Sequence, residues 1–349
     1  MNNSLIDLVA PESGSTIMIY DVHASESGAL AILDDLYNQI QAYEDKTVNW
    51  VFIVSVPEYE ETENIKVRRF PWVKKSWGHR YYFDSVTTKS LLKEYNPDKV
   101  FSLQNKGISF YRKEQIVYLH LAFMLADYKF DFKRDGIKLW LYQNVIGKNI
   151  FKSLKKVDKT IVQTQWMKDA LVNQVGIDKD SIVVQHPDIT SNNILQFNDT
   201  KENRKRFFYP ATAFLYKNHQ AILEAISLAK ENGLHDYEII FTIEENENEY
   251  TRSLAEYAKQ NGLNVDFHGR LPREKVFELY AQSVLIFPSH VETFGLPLLE
   301  ARMTGTYVIA SDYAFSREIL EGYEKASYFN AYNSEELSQQ ILKICNSDL

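Results

Sequence analysis

Two doubly wound α/β domains are the fold class that the sequence predicts, and three observations carry this prediction. Short apolar runs that resemble strands alternate with helical patterns along nearly all of the 349 residues. These runs are continuously apolar, which is typical of parallel strands covered by helices on both faces of a sheet. A polar stretch, DITSNNILQFNDTKENRK at 188–205, separates two halves of similar size. A chain of this length suits two domains rather than one.

The individual elements follow from hydrophobic periodicity. In the first half, strands are predicted at 16–20, 50–56, 99–103, 116–119, 160–163 and 181–185, and helices at 29–42 and 166–175. In the second half, strands are predicted at 206–209, 238–242, 265–268, 284–287, 307–310 and 327–329, and helices at 219–232, 250–261, 273–281 and 334–344. We therefore expect an N-terminal domain over 1–190, a linker over about 188–205 and a C-terminal domain over 205–349. The sequence leaves open whether the last helix packs back onto the first domain.

The composition argues against several classes of protein. A net charge of −8 is not that of an obvious nucleic-acid-binding protein. The chain has no run of 18 apolar residues, so no transmembrane helix is expected, and MNNSLIDLVAPESGS at its start lacks the pattern of a signal peptide. Cys345 is the single cysteine, which excludes an internal disulfide and a cysteine-rich metal site. We therefore expect a cytoplasmic protein.

The segment FPSHVETFGLPLLEA at 287–301 contains two glutamates eight positions apart, Glu292 and Glu300. A strand leads into it, Thr293 is a plausible N-cap, and Pro297 suits the first turn of a helix. The backbone amides at 294–296 would then lie at the positive end of that helix, where anions bind. Two carboxylates for hydroxyl groups beside a phosphate site suit a sugar nucleotide. The alternative is an ordinary strand-to-helix connection whose glutamates only interact with the helix dipole.

Lys217, within FYPATAFLYKNHQAILEA, is a second candidate in this half. It follows a strand and an irregular segment and directly precedes a helix, for which Asn218 is the candidate N-cap. A lysine at this place directs a compact cation towards the ligand crevice of a doubly wound domain. An exposed surface lysine without such a role is the alternative.

The pattern FPS-x-x-E-x-F-G-L-P-x-x-E-A closely resembles the donor-site signature of retaining glycosyltransferases with the GT-B fold, in particular glycosyltransferase family 4. The resemblance implies two Rossmann-like domains that face each other across a cleft. It implies that Glu292 faces the donor sugar and that Glu300 bonds the ribose hydroxyls. The backbone between them that would meet the sugar and the phosphates belongs to Phe294, Gly295 and Leu296.

The same resemblance places Lys217 on the diphosphate, because it lies at the family's K-N element. An arginine that the family usually has five residues earlier is absent, and Thr212 stands there. The nearest basic residue by motif is Arg270, in FHGRLPREKV. In the family, the loop after this F-x-G strand lies by the base, so the resemblance implies that Arg270 or the backbone of Leu271 contacts the base.

On the acceptor side, HASESGALA at 23–31 resembles the family's glycine-rich loop, reduced to one glycine. Gly28 and Ala29 are small residues that allow backbone to approach a ligand, and we expect Ser25, Glu26 and Ser27 to line the acceptor pocket. The same S-E-S-G sequence is equally compatible with an ordinary helix cap.

His120 ends the strand in IVYLHLAF, where the family often has a histidine close to the donor sugar. We expect it to make a polar contact with the sugar, with a role as general base second, and a purely structural histidine is the alternative. The adjoining Asp127, Tyr128 and Lys129 are expected to flank the acceptor.

A basic and aromatic segment begins at Lys66 and ends at Arg80, with the sequence KVRRFPWVKKSWGHR. It contains six cations and no carboxylate, interleaved with Phe70, Trp72 and Trp77. This mixture suits the surface of an anionic bilayer, where rings lie among the headgroups and cations bind phosphates. The alternative is a solvated loop whose aromatic rings pack inward.

Neither a metal nor another cofactor is expected. Carboxylate pairs of the form D-x-D hold Mg²⁺ or Mn²⁺ in the other major glycosyltransferase fold. Residues 178–180, DKD, have this spelling but precede a strand and indicate a turn. Lys217 and a helix terminus can stabilise the diphosphate in place of a metal.

The N-terminal half, in LQNKGISFY, QIVYLH, DYKF and IVQTQWMK, is similar to bacterial enzymes that extend capsule, O-antigen or related surface polysaccharides. The resemblance implies retaining, metal-independent transfer of a hexosyl or deoxyhexosyl residue from a UDP-, GDP- or dTDP-sugar. The acceptor would be a polyprenyl-diphosphate-linked sugar or an oligosaccharide at the inner face of the membrane. Two alternatives are a nucleotide-sugar 2-epimerase of the same fold and a non-catalytic nucleotide-sugar-binding subunit.

Overall fold

The computed structural model describes residues 4–25, 27–187 and 194–347. The chain divides into two compact units. The first unit consists of Met1–Leu125 and Leu141–Pro187, and the second of Ala126–Trp140 and Asp188–Leu349. The first part of the predicted linker, 188–193, lies outside the described residues.

The first unit contains a seven-stranded sheet in which every neighbouring pair is parallel. Its strands lie in the order β3-β2-β1-β4-β5-β6-β7. Their bounds are β1 Thr16–Asp21, β2 Asn49–Val54, β3 Ile65–Arg69, β4 Lys99–Ser102, β5 Glu114–Leu119, β6 Lys159–Val162 and β7 Ile182–Val184. The central strands are almost wholly buried, which explains their continuous apolar sequences.

The second unit contains a six-stranded parallel sheet in the order β10-β9-β8-β11-β12-β13. Its strands are β8 Arg206–Tyr209, β9 Glu238–Phe241, β10 Val265–Phe267, β11 Val284–Phe287, β12 Val308–Ser311 and β13 Ala326–Phe329. The chain runs from β8 outward through β9 and β10, and then returns to place β11 on the other side of β8. Ligands of doubly wound sheets bind at such a reversal of strand order, at the carboxyl ends of the strands.

Helices connect the strands in both units. The described α-helices are α1 Leu5–Val9, α2 Ser27–Ala42, α3 Trp77–Tyr82, α4 Thr88–Tyr95, α5 Ile137–Leu141, α6 Gly147–Leu154, α7 Gln165–Ala170, α8 His219–Glu231, α9 Glu249–Gln260, α10 Arg273–Tyr280, α11 Leu296–Thr304, α12 Ala314–Ile319 and α13 Ser334–Asn346. Helix α13 packs against α8 within the second unit. Among the described helices, none is both long and apolar enough to cross a bilayer.

The predicted fold class is confirmed: two parallel sheets with helical connections form two Rossmann-like units. All twelve predicted strands are present, with ends that differ by at most two residues. Strand β3 was not predicted, because its sequence IKVRR is mostly polar and only Ile65 is buried. It is an edge strand, so it needs no continuous apolar run.

The basic and aromatic segment that begins at Lys66 is therefore not a simple loop. It starts within β3 and ends in helix α3. Phe70 and Trp72 pack against a buried cluster of the first unit, whereas the Trp77 side chain is 68% exposed. The alternative of inward-packing rings thus holds for two of its three aromatic residues.

Candidate donor site

The reversal of strand order in the second unit explains how the two main candidate residues meet. Strands β8 and β11 are neighbours, so the loops that leave their carboxyl ends lie side by side. The loop after β8 contains Lys217 and the loop after β11 contains Glu292. Their side chains form an ion pair, with Lys217 Nζ 2.6 Å from Glu292 Oε1.

This ion pair is mostly shielded from solvent. The side chains of Lys217 and Glu292 are 15% and 14% exposed, so the charges attract one another more strongly than at an open surface. The backbone of Lys217 is fixed by Tyr209 of β8, whose hydroxyl donates to the Lys217 carbonyl at 2.9 Å. The lysine is therefore not a freely exposed surface residue.

Asn218 occupies the N-cap position of α8, as the sequence predicted, but it does not cap the helix with its side chain. It has a left-handed backbone, with φ 62°. Its side-chain amide donates instead to the carbonyls of Pro288 and Ala331, at 3.3 and 3.0 Å. Asn218 thus ties the start of α8 to the loop that contains Glu292.

The loop between β11 and α11, residues 288–295, is fixed by further hydrogen bonds. Ser311 donates to the carbonyl of Ser289 at 2.7 Å, and the His290 amide donates to the carbonyl of Tyr216 at 2.9 Å. The His290 ring nitrogen Nδ1 lies 3.0 Å from the Tyr313 hydroxyl. These contacts hold the backbone on the amino side of Glu292.

Helix α11 begins at Leu296, one residue after Gly295. The prediction that Thr293 is the N-cap is wrong: Gly295 is the N-cap, with φ 88°, a backbone region that a residue without Cβ adopts most easily. Pro297 lies in the first turn, as predicted. Phe294 is buried and Leu296 is exposed. The N-cap of α11 therefore lies three residues after Glu292, and the helix itself begins four residues after it.

Glu300 lies one turn inside α11 and is buried. The Tyr280 hydroxyl donates to Glu300 Oε2 at 3.1 Å, and the Arg273 guanidinium lies 3.1 Å from Oε1. Burial raises the pKa of Glu300, and the charge of Arg273 and the hydrogen bond from Tyr280 partly oppose this rise. Neither partner was predicted from the sequence, although Arg273 follows Arg270 by only three positions in the same motif.

Three other predicted donor-site residues follow strands of the same sheet, Thr212 after β8 and both Arg270 and Leu271 after β10. Arg270 and Thr212 are exposed, and Leu271 is partly buried. In the described part of the chain, the arginine that pairs with Glu300 is Arg273, a contact that was not predicted for either arginine. The predicted roles of Arg270, Leu271 and Thr212 in binding stay predictions.

The predicted glycine-rich loop of the acceptor side lies in the first unit, whereas Asp127, Tyr128 and Lys129 belong to the second unit. Gly28 and Ala29 are in the first turn of α2, and a Cβ at Gly28 would have no heavy atom within 4 Å. Glu26 and the side chain of Ser27 lie outside the described part of the structure. The role of this loop therefore stays a prediction.

His120 follows β5 and is held by its neighbours. Its Nε2 donates to the Leu103 carbonyl at 2.9 Å, and its backbone amide donates to Asn105 Oδ1 at 2.8 Å. Burial lowers the pKa of His120. With Nε2 engaged in this way, a polar contact through the remaining ring nitrogen fits the geometry better than proton abstraction by Nε2, and both roles stay predictions.

Residues 178–180 form the expected turn, in which the Asp178 side chain accepts from the Asp180 amide. Within the described ranges, no three His, Cys, Asp or Glu side chains come close enough together to hold a metal ion.

Comparison with known proteins gives one family match. Residues 191–348 match the model of the family described as glycosyl transferases group 1. This range contains both loops of the candidate donor site. No curated protein sequence matches the chain.

Solved structures match almost the whole chain. The crystal structure of Anabaena HepE in complex with UDP and glucose is 15% identical, with a TM-score of 0.67, and covers 95% of this chain and 90% of its own. WaaG, a glycosyltransferase involved in lipopolysaccharide biosynthesis, is 13% identical, with a TM-score of 0.68 and coverages of 95% and 90%. The lipopolysaccharide outer core galactosyltransferase WaaB is 14% identical, with a TM-score of 0.65 and the same coverages. These likenesses establish the GT-B fold, and the family match lies in the half of the chain that contains the candidate donor site.

Proposed function

We propose that the protein is a retaining, family 4-like glycosyltransferase that takes a hexosyl or deoxyhexosyl residue from a nucleotide sugar. The observation that carries this proposal is the arrangement in the second unit. A shielded Lys217–Glu292 pair lies beside the start of α11, and the buried Glu300 follows one turn later. One cation, one helix N-terminus and two carboxylates match the charges and hydroxyl groups of a sugar nucleotide.

Each group has a separate task in donor binding. Lys217 and the first amides of α11 bind the diphosphate, and Glu292 binds hydroxyl groups of the sugar. Glu300, kept in place by Tyr280 and Arg273, binds the ribose. UDP is the first nucleotide to test, because the similar HepE was solved with UDP; GDP and dTDP are the alternatives.

The chemistry proposed is displacement on one face of the sugar. The bond between the anomeric carbon and the phosphate oxygen breaks, and the acceptor hydroxyl oxygen bonds to that carbon on the same face. The hydroxyl proton passes to the departing phosphate. Lys217 and the α11 amides stabilise the charge that develops on the phosphate, so no metal is required. Glu292 stabilises the cationic sugar without forming a covalent bond.

The proposed acceptor is a polyprenyl-diphosphate-linked sugar or an oligosaccharide in the synthesis of a bacterial surface polysaccharide. We propose that the protein acts in the cytoplasm at the inner face of the membrane. Trp77 is exposed beside Lys74 and Lys75 in the basic segment, which supports contact with anionic lipid. Part of this segment's charge is neutralised, because Arg68 and Arg69 pair with glutamates.

The membrane contact can be tested with vesicles that contain an anionic lipid. Reversing the charges of Lys74 and Lys75 to glutamate should reduce both vesicle binding and activity on a lipid-linked acceptor. Activity on a water-soluble oligosaccharide should not change. Unchanged vesicle binding would remove this part of the proposal and leave glycosyl transfer untouched.

The transfer itself is tested by incubating the protein with UDP-, GDP- and dTDP-sugars, with and without an acceptor extract, in the presence of EDTA. We expect nucleotide release that depends on the acceptor, and a product whose anomeric configuration, measured by NMR, equals that of the donor. Nucleotide release without acceptor, together with an epimerised sugar, would identify a 2-epimerase instead. Tight nucleotide binding without any turnover would identify a non-catalytic subunit.

A further inference from the structure

Residues 126–140, here called the Tyr128 turn, form a compact element of the second unit although they lie within the first half of the chain. Hydrogen bonds between its own residues hold this segment together. The Asp135 amide donates to the Asp131 carbonyl at 2.8 Å, and the Asp131 amide donates to the Asp135 carboxylate at 2.8 Å. The Tyr128 hydroxyl donates to the same carboxylate at 2.9 Å, and the Arg134 guanidinium lies 4.9 Å from the centre of the Tyr128 ring. Tyr128 is therefore held at both its ring and its hydroxyl.

Two aromatic side chains of the turn contact the loops of the candidate donor site. The Tyr128 ring stacks on His290, with centroids 4.5 Å apart and planes 23° apart. Phe130 packs edge-on against Tyr216, with centroids 5.9 Å apart. Tyr128, Phe130 and His290 are all less than 8% exposed. The two contacted residues are themselves joined, because the His290 amide donates to the Tyr216 carbonyl.

These contacts lie immediately beside the ion pair of the site. Tyr216 precedes Lys217 in the chain, and His290 lies two residues before Glu292. We propose that Tyr128 and Phe130 are positioning residues for glycosyl transfer, which hold the backbone of both loops so that Lys217 and Glu292 keep their places on the donor. This inference rests on the proposed function.

The chemistry of the contacts explains why a rigid aromatic element suits this task. The two loops have no regular secondary structure next to the ion pair apart from one short 3₁₀ turn, so side-chain packing adds to the hydrogen bonds that hold them. Displacing a reacting group by about 1 Å can lower a rate about 100-fold. Burial, together with the charge of Arg134 and against that of Asp135, lowers the pKa of His290 to about 4. His290 therefore stays a neutral ring at neutral pH and can pack against Tyr128 without the cost of burying a charge.

The test compares Tyr128→Leu with Tyr128→Phe in the full-length protein. Leucine keeps apolar volume and loses the flat ring, so kcat should fall about 10- to 100-fold, and this loss should exceed the loss of UDP affinity. Phenylalanine keeps the ring and should restore most of kcat. Hydrogen exchange of the amides at 288–295 should become faster in Tyr128→Leu and stay slow in Tyr128→Phe.

Tyr237→Leu is the matched control, because Tyr237 is a buried tyrosine of the same unit. It directly precedes β9 and so lies at the amino-terminal ends of the strands, opposite the candidate site. It should lose stability without a change in kcat. Equal kcat values for Tyr128→Leu and the unmodified protein would overturn the positioning role while leaving the proposed function intact. If Tyr128→Leu does not fold, Phe130→Leu tests the same idea through Tyr216, and unchanged kcat there overturns it too. Failure of the unmodified protein to transfer sugar from any donor would instead refute the proposed function.

Discussion

Replacing Glu292 by glutamine should separate sugar transfer from nucleotide binding. The carboxylate of Glu292 lies 2.6 Å from Lys217 Nζ, and both side chains are about 15% exposed. Glutamine has the same shape and keeps an oxygen that can accept a hydrogen bond from the lysine. It removes only the negative charge, so its effects report on electrostatics rather than on packing.

The expected change in UDP affinity follows from the distance and the burial of this ion pair. At an effective dielectric constant of about 20, unit charges 2.6 Å apart attract by about 6 kcal/mol before desolvation is subtracted. Measured couplings between contacting residues are only about 0.5–3 kcal/mol, because desolvation offsets most of the gross attraction. In Glu292→Gln, Lys217 no longer has to leave a carboxylate to bind a diphosphate. We therefore expect UDP to bind about tenfold more tightly, equivalent to about 1.4 kcal/mol.

The same substitution should abolish most of the turnover. Removing one group that stabilises charge in a transition state typically lowers kcat about 100- to 1,000-fold. The assay combines calorimetric titration of UDP with a measurement of acceptor-dependent nucleotide release. Lys217→Gln should lose both UDP affinity and turnover. Glu278→Gln, which disrupts an exposed ion pair with Lys275, is the matched control and should change neither.

Two results would refute the reasoning. Normal turnover in Glu292→Gln would show that this carboxylate does not stabilise the transition state. Weaker UDP binding in a folded Glu292→Gln protein would show that the Lys217–Glu292 pair does not compete with the diphosphate.

Three further predictions concern the surroundings of the site and the first sheet. Arg273→Gln removes a cation that opposes the rise in the pKa of Glu300, so calorimetry should show about tenfold weaker UDP binding. The fall of UDP affinity in acid should also begin at a higher pH than in the unmodified protein. An unchanged pH dependence of UDP affinity would contradict this. Gly295→Ala, at φ 88° and with its Cβ 3.1 Å from Leu298 Cδ1, should lose about 1–2 kcal/mol in urea unfolding and also most of kcat. Gly305→Ala, at the other end of α11, should lose similar stability but keep kcat, and equal kcat losses would count against a specific role for the helix start. Burial raises the pKa of Asp21 in the folded protein to about 6, above the pKa of this carboxyl in the unfolded chain. The contribution of Asp21 to the free energy of unfolding therefore falls as the pH rises from 4 to 6. Asp21→Asn should therefore match the unmodified protein at pH 4 and be more stable at pH 8 by about 2–3 kcal/mol in denaturant titrations, and equal stability at pH 8 would refute this.

Much of the fold was predictable because its central strands are buried on both faces. Such strands need continuous apolar sequences, and these runs are visible without knowledge of their neighbours. Strand β3 was not predictable in this way, since it lies at the edge of the sheet and is mostly polar and exposed. Helix α11 was predicted at the right place, but its cap was not. A left-handed Gly295 replaces the side-chain cap that Thr293 would have supplied.

In the candidate site as well, some residues were predictable from local sequence and others were not. Lys217, Glu292 and Glu300 were identified from local motifs, because each lies next to a strand end or a helix start whose sequence is distinctive. Arg273 was missed, since a first-turn arginine on an exposed helix is ordinary by sequence. The contact of Tyr128 with His290 was missed as well, because nothing local indicates that residues 126–140 fold with the second half of the chain.

The sequence by itself determined the two-unit α/β architecture and the residues that could bind a sugar nucleotide. Local apolar periodicity and short motifs are sufficient for both. Only the tertiary structure decided which of these residues touch. Lys217 and Glu292 are 75 positions apart, and they meet because β8 and β11 are adjacent where the strand order reverses. Strand order and the packing of distant segments depend on the whole chain burying its apolar faces together, and no local pattern specifies them.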